Sequence, residues 1–249
     1  MSDKRLQKTD DPLAPREGTT AKSSDVEAFV RHVRALGAMK NATAKGRLVL
    51  ALDATMSRQP TWDLACRLQG EMFDAVGRTA LNVQLVYFRG FGECRASRFV
   101  NDTGELTRLM TRIDCRGGHT QIDKVLAHAL KENAGEKIDA LVYIGDAMEE
   151  NVDDLADKAG QLGLRGVPVF VFQEGRDPAV ETVFREIARL SKGAWFRFDQ
   201  QSGATLARLL SSIAVFATGG LKALEARGSS SDRLLLENLG AKGQRGSGR

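Results

Sequence analysis

The sequence predicts an α/β protein built on a doubly wound, mostly parallel six-stranded sheet, with one antiparallel edge strand and helices on both faces. Three observations predict it. From residue 46 to about 226, short apolar runs alternate with amphipathic stretches, the signature of strands joined by crossover helices. Several of these runs are apolar at every position, as parallel strands covered on both faces must be. One pair of runs, "LNVQLVYFRG" and "CRASRFVN", is joined only by the glycine-bearing turn "GFGE", which permits an antiparallel hairpin and nothing else.

The elements follow in chain order. Residues 1–23 are polar and charged with few aromatics, the composition of a disordered arm. Over 24–45, Ser24 and Glu27 form a capping box, and Val26, Phe29, Val30, Val33 and Leu36 repeat at helical spacing. This predicts a helix and linker that pack on the next domain. The domain, 46–226, begins with strand "RLVLALD" and helix "TWDLACRLQGEMFDAVG", ending on Gly77, followed by the hairpin. Helix "TGELTRLMTRID", loop "CRGGH" and helix "TQIDKVLAHALKEN" lead to strand "DALVYIGD". Helix "NVDDLADKAGQLG", strand "VPVFVFQ", helix "PAVETVFREIARLS", strand "AWFRFD" and the long helix "GATLARLLSSIAVFATGGLKAL" complete it. Residues 227–249 read as a flexible basic tail, interrupted by "RLLLENL", which has the look of a short docking helix.

Composition narrows the function. With 249 residues and 42% hydrophobic content there is material for one sizeable core. The net charge of +4 is small and gathered largely in the terminal segments, which argues against a dedicated nucleic-acid surface. No window approaches the roughly 20 apolar residues that span a bilayer, and the N-terminal stretch lacks the apolar core of a secretory signal. Cys66, Cys94 and Cys115 form no C-x-x-C pair and read as reduced thiols. The expectation is a cytoplasmic protein with no membrane partner.

In doubly wound sheets, ligands bind beyond the carboxyl ends of the strands, where strand order reverses. Asp53 and Asp146 both fall on that crest. A dinucleotide site needs glycines directly after the first strand, and Ala54, Thr55, Met56 and Ser57 stand there instead. A phosphatase resembling the haloacid dehalogenase superfamily is an alternative, with Asp53 as nucleophile and "GDAMEE" as a magnesium motif. Thr55 then occupies the position of the acid that protonates the leaving group, and too many elements follow "GDAMEE".

Asp53, Thr55, Ser57, Thr120 and Asp146 offer two carboxylates and three hydroxyls from three separate loops. These are hard oxygen donors, and Mg²⁺ takes about six at roughly 2.1 Å, often with water among them. "DATMS", the threonine of "GGHTQ" and the aspartate of "YIGDA" together resemble the metal-ion-dependent adhesion site of von Willebrand factor A domains, in particular intracellular bacterial members of that family. The family pattern is D-x-S-x-S, a separate Thr and a separate Asp; Thr55 replaces one serine and keeps the hydroxyl. The resemblance spans residues 46–224. It implies a non-enzymatic adaptor whose Mg²⁺, or Mn²⁺ or Ca²⁺, takes an Asp or Glu from a partner protein, such as an ATPase, a chaperone-like protein or another assembly factor. RNA binding, suggested by the basic tail "AKGQRGSGR", is the alternative from another class. Simpler roles are also open to single residues: Thr120 as the cap of a helix beginning at Gln121, His119 as a surface group or one that supports a ligand from behind, and Glu149 and Glu150 as the first turn of the next helix or as acids that tune the metal.

Overall fold

The computed structural model describes residues 45–55, 59–76, 80–198 and 203–240. The arm at 1–23, nearly all of the 24–45 segment and Ser57 lie outside the described residues.

In chain order the elements are β1 (Gly46–Asp53), α1 (Gln59–Leu68), α2 (Gly70–Val76), β2 (Leu81–Arg89), β3 (Glu93–Val100), α3 (Thr103–Met110), α4 (Ile122–Gly135) and β4 (Ala140–Gly145), then α5 (Val152–Leu164), β5 (Val169–Glu174), α6 (Pro178–Leu190), β6 (Trp195–Phe198), α7 (Gly203–Arg227) and α8 (Ser230–Gly240). The six strands lie in the order β3-β2-β1-β4-β5-β6. Only β2 and β3 pair antiparallel; every other neighbouring pair is parallel. This is the predicted architecture, including the hairpin edge.

Strand β1 is buried at all eight positions. Its side chains alternate between two cores, as the period of two demands. Leu48, Leu50 and Leu52 face one core, which α1, α2, α3, α7 and α8 also line. Val49 and Ala51 face the other, closed by α4, α5 and α6. Aromatic rings fill both layers: Phe172 stacks on Phe196 at 5.4 Å in the first, and Tyr143 meets Phe184 edge-on at 5.6 Å in the second.

Helix starts are set by local chemistry. Asp102, Asn151 and Asp177 cap α3, α5 and α6, each accepting from backbone N–H groups of the first turn. Pro178 opens α6, where its missing N–H costs nothing.

Four sequence readings change. The single helix expected over 61–77 is two, α1 and α2, broken at Gln69. That side chain is buried and bonds Thr107 Oγ1 on α3 at 2.5 Å, a tertiary contact that overrides local helical pattern. Glu149 and Glu150 do not begin α5, whose cap is Asn151 and whose first-turn acids are Asp153 and Asp154. The bilayer reading also needs correcting, because α7 is long and apolar enough to cross a membrane by length and composition. Half of its most apolar window is buried, and Leu206, Leu210 and Ile213 pack in the core. A helix covering β1 on one side and covered by α2 and α8 on others has to be apolar over much of its circumference. Within it, Gly220 has φ 67°, so the chain kinks there. Finally, the segment 227–249 is not tail throughout: the docking helix expected within it is α8, which packs on α7 with Leu235 fully buried, and residues 241–249 lie outside the described residues.

An ion pair with a buried carboxylate ties α8 down. Asp232 is completely buried, and its carboxylate accepts from Arg227 Nε at 2.8 Å and from the Ser229 N–H at 2.9 Å. Burial alone would raise its pKa, but the hydrogen bonds from Arg227, Ser229 and Ser212 more than offset it and hold the carboxyl well below the usual range. A depressed folded-state pKa stabilises the fold above the unfolded value, about 4, and the contribution fades as pH falls from there toward the folded value. Asp232→Ala should therefore lower unfolding free energy by about 2 kcal/mol near neutrality, since it removes the buried carboxylate whose charge-assisted hydrogen bonds hold Arg227 and the Ser229 N–H. Urea denaturation should give the same wild-type-to-variant gap at pH 6 and pH 8, narrowing below about pH 4.

Candidate functional site at the sheet crest

From β1 the chain crosses to β2 on one side, and from β3 it returns past β1 to β4 on the other. The connections leaving β1 and β4 therefore diverge, and a crevice opens between the carboxyl ends of these neighbours. Leu52 lies opposite Ile144 in the β1–β4 pairing, so Asp53 stands level with Gly145 and Asp146 follows one step on. Asp53 is only 4% exposed. Its Oδ1 accepts from the Thr55 N–H at 2.7 Å, which tightens the turn, while the Ala54 N–H still bonds Phe88 O at 2.9 Å. Thr55 is buried beside it, and Asp146 is partly exposed.

Thr120 reaches the same place by a different route. Helix α3 belongs to one core and α4 to the other, so residues 111–121 carry the chain over the carboxyl edge of the sheet. The loop is fastened along its length. Arg89 Nη1 donates to Asp114 O at 2.6 Å, the Arg116 N–H to Ala54 O at 3.0 Å and the His119 N–H to Gly90 O at 3.1 Å. Gln121 Nε2 adds a bond to Arg89 O at 3.2 Å. Gly118 lies against the hairpin so closely that a Cβ there would sit 2.2 Å from Gly90 O. The hairpin is stiff enough to serve as an anchor: Glu93 binds both Arg89 and Arg95, and these two, Arg89 foremost, hold its carboxyl down to about 2.

Two acids from the β4–α5 loop complete the arrangement. Thr120 Oγ1 donates to Glu150 Oε2 at 2.7 Å and accepts from the Glu149 N–H at 3.1 Å. A hydroxyl has one proton and two lone pairs, so one lone pair of Thr120 remains available to a further partner. The Ile122 N–H donates to Glu150 Oε1. Helix α4 makes no cap from its own N-cap residue, Gln121, and Glu150 supplies one from across the crest. The capping role considered for Thr120 is thus taken by Glu150. Glu149 Oε2 accepts from the Thr120 N–H at 3.2 Å and meets His119 Nδ1 at 2.8 Å; beside a carboxylate that nitrogen carries the proton. His119 is therefore a surface group tied to Glu149.

Four of the five residues singled out in the sequence, Asp53, Thr55, Thr120 and Asp146, come to one end of the sheet. Among the described residues no three His, Cys, Asp or Glu side chains group to hold a metal by themselves. The donors offered are two carboxylates and two hydroxyls, an all-oxygen set that fits Mg²⁺, Mn²⁺ or Ca²⁺ and not a metal that prefers nitrogen or sulfur. Sequence reasoning named Glu150 beside Asp146 but missed its role as the cap of α4. The available signal was negative: with Thr120 set aside, Gln121 is a poor cap and α4 needs an acceptor from elsewhere.

No family model matches the sequence, and no curated protein does. Solved structures match in fold. The chain superposes on a von Willebrand factor type A protein from Catenulispora acidiphila with TM-score 0.58 and 18% identity, over 71% of this chain and 43% of that one. It superposes on an aerotolerance-related membrane protein from Bacteroides fragilis NCTC 9343 with TM-score 0.55 and 19% identity, over 68% and 98%. The SpRpn10 VWA domain gives TM-score 0.50 and 12% identity, over 63% and 89%. The chain has the von Willebrand factor A fold.

Two substitutions test how the crest is held. Glu150→Ala removes the α4 cap and the acceptor for Thr120, and should cost about 1 kcal/mol of stability. Amide exchange should accelerate at Ile122 while β5 stays protected, as read by hydrogen–deuterium exchange. Gly118→Ala should cost about 1–3 kcal/mol, because backbone meets the new methyl and the loop must move; thermal denaturation measures it.

Proposed function

We propose that the crest is a divalent-cation site through which this protein holds an Asp or Glu of a partner protein, acting as a non-enzymatic adaptor. The observation that carries the reading is the convergence of Asp53, Thr55, Thr120 and Asp146 on the crevice between β1 and β4. Ser57, two residues beyond Thr55 in sequence, is the fifth ligand in this reading. When bound, the cation would supply an electrophilic centre with a position for one more carboxylate. Mg²⁺ is the proposed ion, with Mn²⁺ and Ca²⁺ as substitutes.

The residues of the chain do the rest. Asp53 and Asp146 provide the negative charge, directly or through water. Thr120 presents a lone pair while Glu149 and Glu150 fix its rotamer, so little ordering cost is left for the moment of binding. The adaptor reading is supported by the position of Thr55, which stands where a phosphatase of this general layout would need an acid catalyst. A cytoplasmic location is part of the proposal. Its support is that the three cysteines, Cys66, Cys94 and Cys115, are odd in number and form no C-x-x-C pair, the pattern of reduced thiols. The partner is an ATPase, a chaperone-like protein or another assembly factor.

Millimolar Mg²⁺ or Mn²⁺ should raise the thermal midpoint relative to EDTA. At a hundredfold excess over Kd the stabilisation is about 2.7 kcal/mol, a shift of several degrees for a domain of this size. Asp53→Ala should abolish the shift and leave a folded protein. Equal midpoints with and without the cation would sink the proposal. An aryl phosphate turned over by wild type and not by Asp53→Asn would promote the enzyme reading in its place.

A further inference from the structure

Next to the crest stands a side chain that the proposed cation site does not use. Phe91, at the tip of the β2–β3 hairpin, is 86% exposed. Scattered surface hydrophobes are ordinary, and Leu164 is equally exposed at the far end of α5. Phe91 differs in how it is held. Its turn is flanked by Gly90 at φ 61° and Gly92 at φ 152°, and Lys124 Nζ clamps Gly92 O at 2.8 Å. Its ring lies edge-on to His119 at 5.1 Å, and His119 is bonded to Glu149, which in turn holds Thr120. A rigid aromatic ring is thus presented to solvent one contact away from the site. Such preorganised rings are what interfaces use as anchors.

A second exposed group belongs to the 111–121 loop. Arg116 is exposed, and its backbone N–H is fixed on Ala54 O, directly after Asp53. The neighbouring arginines of the hairpin, Arg89 and Arg95, are both spent on Glu93. The Arg116 side chain makes no hydrogen bond or ion pair to any described residue. An exposed guanidinium beside the site is suited to bidentate recognition of a carboxylate.

We propose that Phe91 and Arg116 form a reading surface for the residues flanking the partner's acid: a large apolar side chain packs on Phe91, and a second Asp or Glu pairs with Arg116. The occupant is a short acidic segment of a protein. An aromatic ring and an arginine could also serve a nucleic-acid strand, but a phosphate at every nucleotide would bring unpaired charge against Asp53, Asp146, Glu149 and Glu150, whereas a peptide places one acid on the cation and the other on Arg116. This inference rests on the cation-site reading above and adds the sequence class of the partner.

The test is a display library of short random peptides around one fixed Asp, selected on the full chain in Mg²⁺ and eluted with EDTA. The expected pool is enriched in a large apolar residue at one preferred offset from the Asp and in a second acid at another. Phe91→Ala should erase the apolar preference and weaken the best peptide about tenfold, while the fixed Asp and the cation stay necessary. Phe91→Tyr should retain both preferences. Arg116→Gln should erase only the second-acid preference. A pool that needs Asp and Mg²⁺ but shows no flanking enrichment, or the same enrichment with Phe91→Ala and Arg116→Gln, overturns this inference and leaves the cation site standing. A pool indifferent to Mg²⁺ and to the Asp overturns both. Tight binding of a single-stranded RNA oligonucleotide that is lost in Phe91→Ala would assign the surface to nucleic acid instead.

Discussion

The parallel pairing of β1 with β2 on one side and β4 on the other is the constraint from which the rest of the molecule follows. A strand hydrogen-bonded along both edges and covered on both faces has no exposed length. It has to be apolar along its middle, from Leu48 to Leu52, and its polar chemistry is confined to its two ends, Arg47 and Asp53. That is why Asp53 closes an otherwise apolar run, and why Asp146 does the same one strand over. Reversal of strand order between these neighbours keeps covering helices from closing the gap above them. A polar site is left there by topology before any question of ligand arises.

Completing the site takes a segment that belongs to neither strand. The chain must pass from the core lined by α3 to the core lined by α4, and the only way across is over the strand ends. Residues 111–121 make that passage. Backbone groups need partners wherever they are taken out of water, and here they find them on Ala54, Gly90 and Arg89. The β2–β3 hairpin is more than an edge strand in this arrangement. Its arginine–glutamate network makes it a fixed wall, and close backbone contact between Gly90 and Gly118 sets how near the loop can lie.

The sheet and its strand ends were legible in the sequence because burial on two faces leaves continuous apolar runs, and because a turn as short as "GFGE" allows one connection only. Asp53, Thr55 and Asp146 were legible for the same reason, standing where an apolar strand surfaces; Thr120 was singled out through the resemblance to the adhesion-site pattern. What was not legible depends on residues distant in sequence. The break at Gln69 follows from its bond to Thr107, 38 positions later. The cap of α4 comes from Glu150, which local reasoning places in the following helix. Helix α7 gave a clear signal of helicity and an ambiguous one of environment, since a helix covered on several sides and a helix in lipid have similar compositions. Phe91 and Arg116 are unremarkable in a sequence; only their position beside the crest distinguishes them.

The strand order has a mechanical side. Strands β1 to β3 come from residues 46–100 and β4 to β6 from residues 140–198, and the two groups join in the sheet at the β1–β4 ladder alone. That ladder pairs five residues, as many as join β4 to β5, so it is set apart by the chain segments it joins and not by its length. The sheet therefore has a seam, and Asp53 and Asp146 stand on opposite sides of it at the crest. Anything gripped by both carboxylates acts as a staple across the seam, so that occupancy of the crest and cohesion between the two halves of the chain rise and fall together.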